Sequence, residues 1–260
     1  MRLLSFIDDL QARGRYTFTL EELRVNELGS RADRPQLLRR LWRNRSVTSP
    51  KRGFYVIVPS EYRSAGSPPA SWFVDDLMRY LGQPYYVGLL SAAAIHGAAH
   101  QQPIRFQIVT NQVTRSVING RVRIDFHVNQ AIEALSVDSV QTETGYMRVA
   151  TVEITAFDLV KYVRHAGGLS NVATVLIELV ELIDASKLEI YCDLYPTTTT
   201  QRLGHLLDEI SATRHANVLY QQLQKRRYRA TPLTPGKSTT KQMTVSRFGV
   251  IVNDEIEPDL

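Results

Sequence analysis

The stretch Asp33-Arg34-Pro35-Gln36-Leu37-Leu38-Arg39-Arg40-Leu41-Trp42-Arg43-Asn44-Arg45 decides how the amino-terminal part of this chain folds. Pro35 fits only the first turn of a helix, where its missing N–H costs no intrahelical bond, and Asp33 stands where an N-cap is expected. A helix running to about Arg45 follows. At 100° per residue from Arg39, the side chains of Leu37, Leu41, Leu38 and Trp42 fall at about 160°, 200°, 260° and 300° and make one apolar face. Arg39, Arg43, Gln36 and Arg40 fall at about 0°, 40°, 60° and 100°, across the helix from it. Three guanidinium groups and one amide therefore leave the rod together.

Toward the amino end, Leu3, Phe6, Ile7 and Leu10 recur at helical spacing before Gly14, and Thr19 with Glu22 three residues later has the form of a capping box. Leu20, Leu23 and Leu28 then form an apolar face that Gly29 ends. Toward the carboxyl end, Val47 and Thr48, the turn-like Ser49-Pro50-Lys51-Arg52-Gly53 and the β-favouring Phe54-Tyr55-Val56-Ile57-Val58 predict a hairpin. Three short helices and a hairpin spell a winged helix-turn-helix over residues 1–63. Its third helix presents what major-groove recognition needs, because Arg donates two bonds to guanine and Gln pairs bidentately with adenine. Gln36, Arg39, Arg40 and Arg43 are the expected base readers. Arg31, Arg34 and Arg45, with Lys51 and Arg52 at the wing tip, are expected to hold phosphates.

Charge is distributed accordingly. Residues 1–63 carry 13 basic and 7 acidic side chains and the remainder 18 and 19, so the excess positive charge of the chain is local. The 260 residues are 43% hydrophobic and 22% charged, which suits a globular chain with a sizeable core and argues against disorder. The single cysteine, Cys192, has no partner for an internal disulfide or a thiolate metal site. Without an apolar run of membrane-spanning length, a cytoplasmic protein is expected.

Small residues and paired prolines from Ser64 to Ser71 predict a linker, with a larger mixed α/β domain over residues 72–260 and an α+β fold overall. Helices are expected at Trp72–Leu81, from a Ser91 cap to His96, and at Ala156–His165, Ser170–Ile183 and Thr199–Ser211, with another around Leu219 and Leu223. Strands are expected at Ile104–Thr110 and Tyr146–Thr155, and Asn119-Gly120 predicts a hairpin within Ser116–Asn129.

Several phrases of this chain resemble, in order, those of AbiEi-type antitoxins of type IV toxin–antitoxin systems. They are Arg52-Gly53-Phe54-Tyr55-Val56-Ile57-Val58-Pro59, Tyr86 through Gly97, Thr151 through Val160, Arg202-Leu203-Gly204-His205-Leu206-Leu207, and Val252 through Glu257. The resemblance implies a repressor that binds repeats in its own promoter through the amino-terminal domain. It implies a carboxyl-terminal domain that counters a nucleotidyltransferase toxin in viral defence. A stable complex with that toxin is not the general expectation in this class.

Other constellations point elsewhere more weakly. His96 and His100 share metal-ligand spacing, but Gly97 interrupts the helix between them. Ser91 reads as a cap rather than a nucleophile. A nucleotidyltransferase-like enzyme would need paired carboxylates for magnesium, and near the strand at Arg105–Val109 only Asp125 is available. No enzyme activity, cofactor or metal is therefore expected. Lys225, Arg226, Arg227 and Arg229 form a second basic cluster, either solvated or a supplementary phosphate contact. The alternatives to a DNA-binding repressor are that enzyme and a protein-interaction module without DNA affinity.

Overall fold

The computed structural model describes residues 3–98, 103–240 and 242–258. The fold is α+β, and its contacts divide it into two compact units.

The first unit comprises Met1–Val87, Ile104–Gln130 and Asp138–Val149. Helix α1 (Leu3–Ala12) buries Leu3, Phe6, Ile7 and Leu10, the residues its apolar spacing predicts. Strand β1 (Thr17–Thr19) leads directly into α2 (Leu20–Val25) through the expected capping box. The Glu22 N–H donates to Thr19 Oγ1 at 3.1 Å, and the Thr19 N–H donates to Glu22 Oε2 at 2.7 Å. Helix α3 (Arg34–Arg43) and the hairpin of β2 (Val47–Lys51) and β3 (Phe54–Ile57) complete the motif. Strand β3 lies between β1 and β2, antiparallel to both. This is a winged helix. Its core joins Phe18, Leu23, Leu28, Leu41, Val47 and Ile57 to the apolar face of α1, with the Phe6 and Phe18 rings edge to face at 6.0 Å.

Both ends of α3 differ from expectation. Asp33 makes no cap bond from its side chain. Ser30 takes that role one turn earlier: its hydroxyl accepts from the Asp33 N–H at 3.2 Å and donates to Asp33 Oδ2 at 2.6 Å. Its carbonyl accepts from the N–H groups of Asp33 and Arg34. At the other end the helix stops at Arg43, and Arg45 turns to a positive φ of 52° instead of extending it.

The rest of this unit is a sheet with α4 (Val74–Leu81) against it. Its strands are β4 (Tyr85–Val87), β5 (Phe106–Thr110), β6 (Val117–Asn119), β7 (Val122–Val128), β8 (Asp138–Thr142) and β9 (Gly145–Val149), in the order β6-β7-β5-β4-β9-β8. The pairs β5–β7 and β4–β9 are parallel; β6–β7, β4–β5 and β8–β9 are antiparallel. The expected β6–β7 hairpin forms, but its two-residue turn is Gly120-Arg121, one residue later than the Asn119-Gly120 signal, because Asn119 still pairs with Val122 as the last residue of β6. The winged helix is braced on this hairpin. Thr48 Oγ1 donates to Asn119 Oδ1, Asn119 Nδ2 donates to Ser67 Oγ at 3.0 Å, and the Arg121 N–H donates to the Ala65 carbonyl at 2.8 Å. The strand expected at Tyr146–Thr155 ends at Val149, because Thr151 caps a helix.

The second unit comprises Gly88–Pro103, Ala131–Val137 and Ala150–Leu260. It holds α5 (Leu89–Ile95), α6 (Val152–Lys161), α7 (Gly168–Leu179), α8 (Ala185–Tyr191), α9 (Thr197–Glu209) and α10 (Thr213–Gln224). Two short parallel strands, β10 (Thr231–Pro232) and β11 (Val250–Ile251), accompany them. Helix α6 is buried from Glu153 to Val160. Its polar groups are satisfied accordingly: the Asp184 N–H donates to Glu153, and the Tyr195 hydroxyl donates to Asp158 at 2.8 Å. Helix α5 begins before Ser91, so that serine is a buried residue inside the helix and not its cap. No helix among the described residues is long and apolar enough to cross a membrane.

Candidate nucleic-acid interface

Helix α3 is anchored through one side and leaves the other free. Leu41 is buried, and Leu37 and Leu38 pack at the edge of the same core. Gln36, Arg39, Arg40 and Arg43 are all exposed, and among the described residues none of the four side chains forms an ion pair or hydrogen bond. A charge that contributes nothing to its own fold keeps its full capacity for an external anion.

Around them, Arg31, Arg45 and Arg52 are exposed and carry no ion pair among the described residues. Arg34 is half-buried and donates from Nε to the Leu28 carbonyl at 3.3 Å, and the Lys51 ammonium donates to the Arg115 carbonyl at 3.3 Å. Both bonds leave donors over: four other N–H groups on Arg34, two on Lys51. The wing tip itself is held firmly. The Tyr80 hydroxyl donates to the Arg52 carbonyl at 2.8 Å and the Leu20 N–H donates to the Gly53 carbonyl at 2.8 Å.

Trp42 departs from the helical wheel. It was expected on the buried face and is 66% exposed. Together with Leu38, Val47 and Tyr55 it walls a groove of about 530 Å³ between α3 and the wing, bordered by Arg39, Arg43 and Arg52. Its wheel angle contained the signal: 300° lies only about 60° from Arg39 and about 100° from the buried Leu41. An apolar floor between cationic rims can receive thymine methyl groups or deoxyribose edges while the guanidinium groups reach bases or phosphates.

The second basic cluster is divided. Arg226 donates to the Cys192 carbonyl at 3.0 Å and to Asp193 Oδ1 at 2.5 Å, and Lys225 pairs with Glu189 at 3.6 Å. Arg227 and Arg229 are exposed, with no side-chain partner among the described residues.

The catalytic candidates are engaged otherwise. Asp125 is paired with Arg105, whose NH1 lies 2.9 Å from Oδ2, and among the described residues no group of three His, Cys, Asp or Glu is placed to hold a metal. His96 Nε2 lies 2.7 Å from the Ala150 carbonyl, while His100 falls outside the described residues. Burial pushes the Cys192 thiol up to about 11, against thiolate chemistry.

Residues 86–209 match the family described as the AbiEi antitoxin C-terminal domain. No curated protein matches the chain. Among solved structures it is similar to the RV2827C protein from Mycobacterium tuberculosis, with 20% identity and a TM-score of 0.65, over 94% of this chain and 89% of that one. At that identity the likeness concerns the fold alone.

Proposed function

We propose that this chain is a sequence-specific DNA-binding antitoxin that represses its own operon and counters a nucleotidyltransferase toxin in defence against phage. The observation that carries the DNA-binding half is the exposed, unpaired set Gln36, Arg39, Arg40 and Arg43 on a helix whose opposite side is anchored in the core. In this reading those four side chains contact bases, Trp42 lends an apolar surface beside them, and Arg31, Arg34, Arg45, Lys51 and Arg52 hold phosphates. Arg227 and Arg229 supply supplementary phosphate contacts from the second basic cluster, whereas Lys225 and Arg226 serve chiefly to hold their own unit together. The antitoxin half rests on the match of residues 86–209 to the AbiEi antitoxin C-terminal domain, a likeness that implies a cognate toxin; direct contact with that toxin is not required by the reading.

The test separates base readers from phosphate holders on duplex DNA from the chain's own promoter. Arg39→Ala or Arg43→Ala relaxes base preference, costing about 1–3 kcal/mol of discrimination at one position. Arg52→Ala weakens all duplexes alike and lowers the salt slope by about one unit. Equal small losses on every sequence from both kinds of variant contradict the assignment. For the second half, co-expression with the neighbouring toxin gene restores growth, and failure to do so removes the antitoxin role.

A further inference from the structure

Within the first unit, away from α3, a cleft of about 660 Å³ opens between the α1–β1 turn, the first turns of α4 and the β8–β9 hairpin. Four arginines line it: Arg13, Arg15, Arg79 and Arg148. Two of these are committed. Arg15 pairs with Glu22 at 2.6 Å, and Arg79 grips Asp75 at 2.5 Å and Asp76 at 2.9 Å. Those two aspartates also line the cleft, but each has further partners. The Tyr85 hydroxyl donates to Asp75 at 2.9 Å and the Thr17 hydroxyl donates to Asp76.

The carboxylates of the wall are therefore neutralised from within the fold. Arg13 and Arg148 are exposed, and neither side chain has a partner among the described residues. Among the described residues the cleft thus presents two free guanidinium forks and no free carboxylate, a balance that favours an anion over a cation as its occupant. The forks fit phosphate oxygens bidentately. Beside them stand two aromatic rings. Tyr146 is 62% exposed, and Trp72 is fixed by the rings of Tyr16 at 4.8 Å and Tyr62 at 5.3 Å. An open aromatic face takes any nucleobase by stacking, and the cleft volume is that of a small-molecule site, too small to enclose a duplex.

We infer that this cleft binds a nucleoside triphosphate, its phosphates held by Arg13 and Arg148 and its base stacked on Tyr146. The site is separate from the DNA-reading face and does not depend on it. Titration calorimetry on the full chain tests it, with ATP, GTP, CTP and UTP added singly in the absence of divalent cations. At least one gives saturable one-to-one binding, and Arg13→Ala and Arg148→Ala each weaken it about tenfold or more. Both arginines are exposed, so circular dichroism of these variants stays that of the parent. Tyr146→Ala weakens the nucleotide but leaves inorganic triphosphate unchanged. In a Trp42→Phe background, Trp72 is the sole tryptophan and its emission changes with nucleotide at the same midpoint. No saturable binding of any of the four, binding indifferent to the two arginines, or inorganic triphosphate binding as tightly as the nucleotides overturns the assignment. So does displacement of the nucleotide by duplex DNA whose own affinity falls with the same two variants, since the cleft would then hold nucleic-acid backbone.

Discussion

Replacing Gly120 by alanine tests how the β6–β7 turn is held against the segment that follows the winged helix. Gly120 turns the β6–β7 hairpin at a φ of +60°, and a Cβ there would press on the Ala65 carbonyl oxygen and stand 2.6 Å from the Gly66 carbonyl carbon and 2.9 Å from its Cα. All three are backbone atoms, so no flexible side chain can swing aside. Two costs add. A left-handed conformation costs an L-residue roughly 1–2 kcal/mol, and an added methyl in a filled site costs roughly 1–3 kcal/mol more. Parting the two segments also strains the Arg121 to Ala65 bond and the Thr48–Asn119–Ser67 chain that ties β2 to the hairpin. Gly82 supplies the control: it has a φ of +64° but nothing within 4 Å of its would-be Cβ. Gly82→Ala should lose only the conformational part, roughly 1–2 kcal/mol, and Gly120→Ala roughly 2–5 kcal/mol. For a chain of this size that difference is several degrees in Tm, roughly 2–4 °C per kcal/mol, readable by circular dichroism under heating and by urea titration. Equal losses for the two variants would refute the packing of Ala65 and Gly66 against the hairpin turn.

Two further outcomes concern stability. Thr19→Ala removes the α2 capping box and should cost about 1 kcal/mol by urea titration, while Glu22→Gln should flatten the acid limb of the stability curve. Burial alone would raise the Glu22 carboxyl, but hydrogen bonds from Arg15 and Thr19 outweigh it and hold the group below its ordinary 4.5; its contribution is therefore complete above that value and lost as pH falls through the folded one. Burial lowers His205 despite the opposing pull of Glu209 and Asp208, and among the described residues its Nε2 has no hydrogen-bond partner. The stability it confers is complete above its ordinary 6.5 and declines as pH falls below it, so denaturation between pH 7 and 5 should show a slope that His205→Gln reduces.

How much of this was written in the sequence varies with how local the cause is. The capping box of α2 and the buried stripe of α1 each depend on residues within one or two turns of chain and form as their residue types predict, whereas the β6–β7 hairpin forms with its turn shifted by one residue, to Gly120-Arg121. Ser30 as the cap of α3 was hidden because Asp33 and Pro35 also satisfy the usual signal, one turn later. Strand β1 is three residues long, with too few alternations to register, and β8, Asp138-Ser-Val-Gln-Thr, is a largely exposed edge strand with no apolar face to betray it. The order β6-β7-β5-β4-β9-β8 is nonlocal and leaves no trace in any window. At the interface, the wheel separated the arginines of α3 from Leu41 because helix geometry is strictly periodic. It misplaced Trp42, whose exposure depends on how the wing sits beside the helix. The neutralisation of Asp75 and Asp76 could not be read from sequence either, since Thr17 lies 59 residues from Asp76.

The central claim is that the free cations of α3 and the wing grip a DNA duplex and discriminate its sequence. The measurement that tests it most directly is the affinity of the full chain for its own upstream DNA and for a scrambled duplex across a series of salt concentrations. Seven phosphate-holding cations, Arg31, Arg34, Arg45, Lys51 and Arg52 with Arg227 and Arg229 from the second basic cluster, predict a slope of log K against log salt of about −6 per bound chain, with the native sequence preferred by at least about 10³. A flat salt dependence, or equal affinity for native and scrambled duplex, would contradict it.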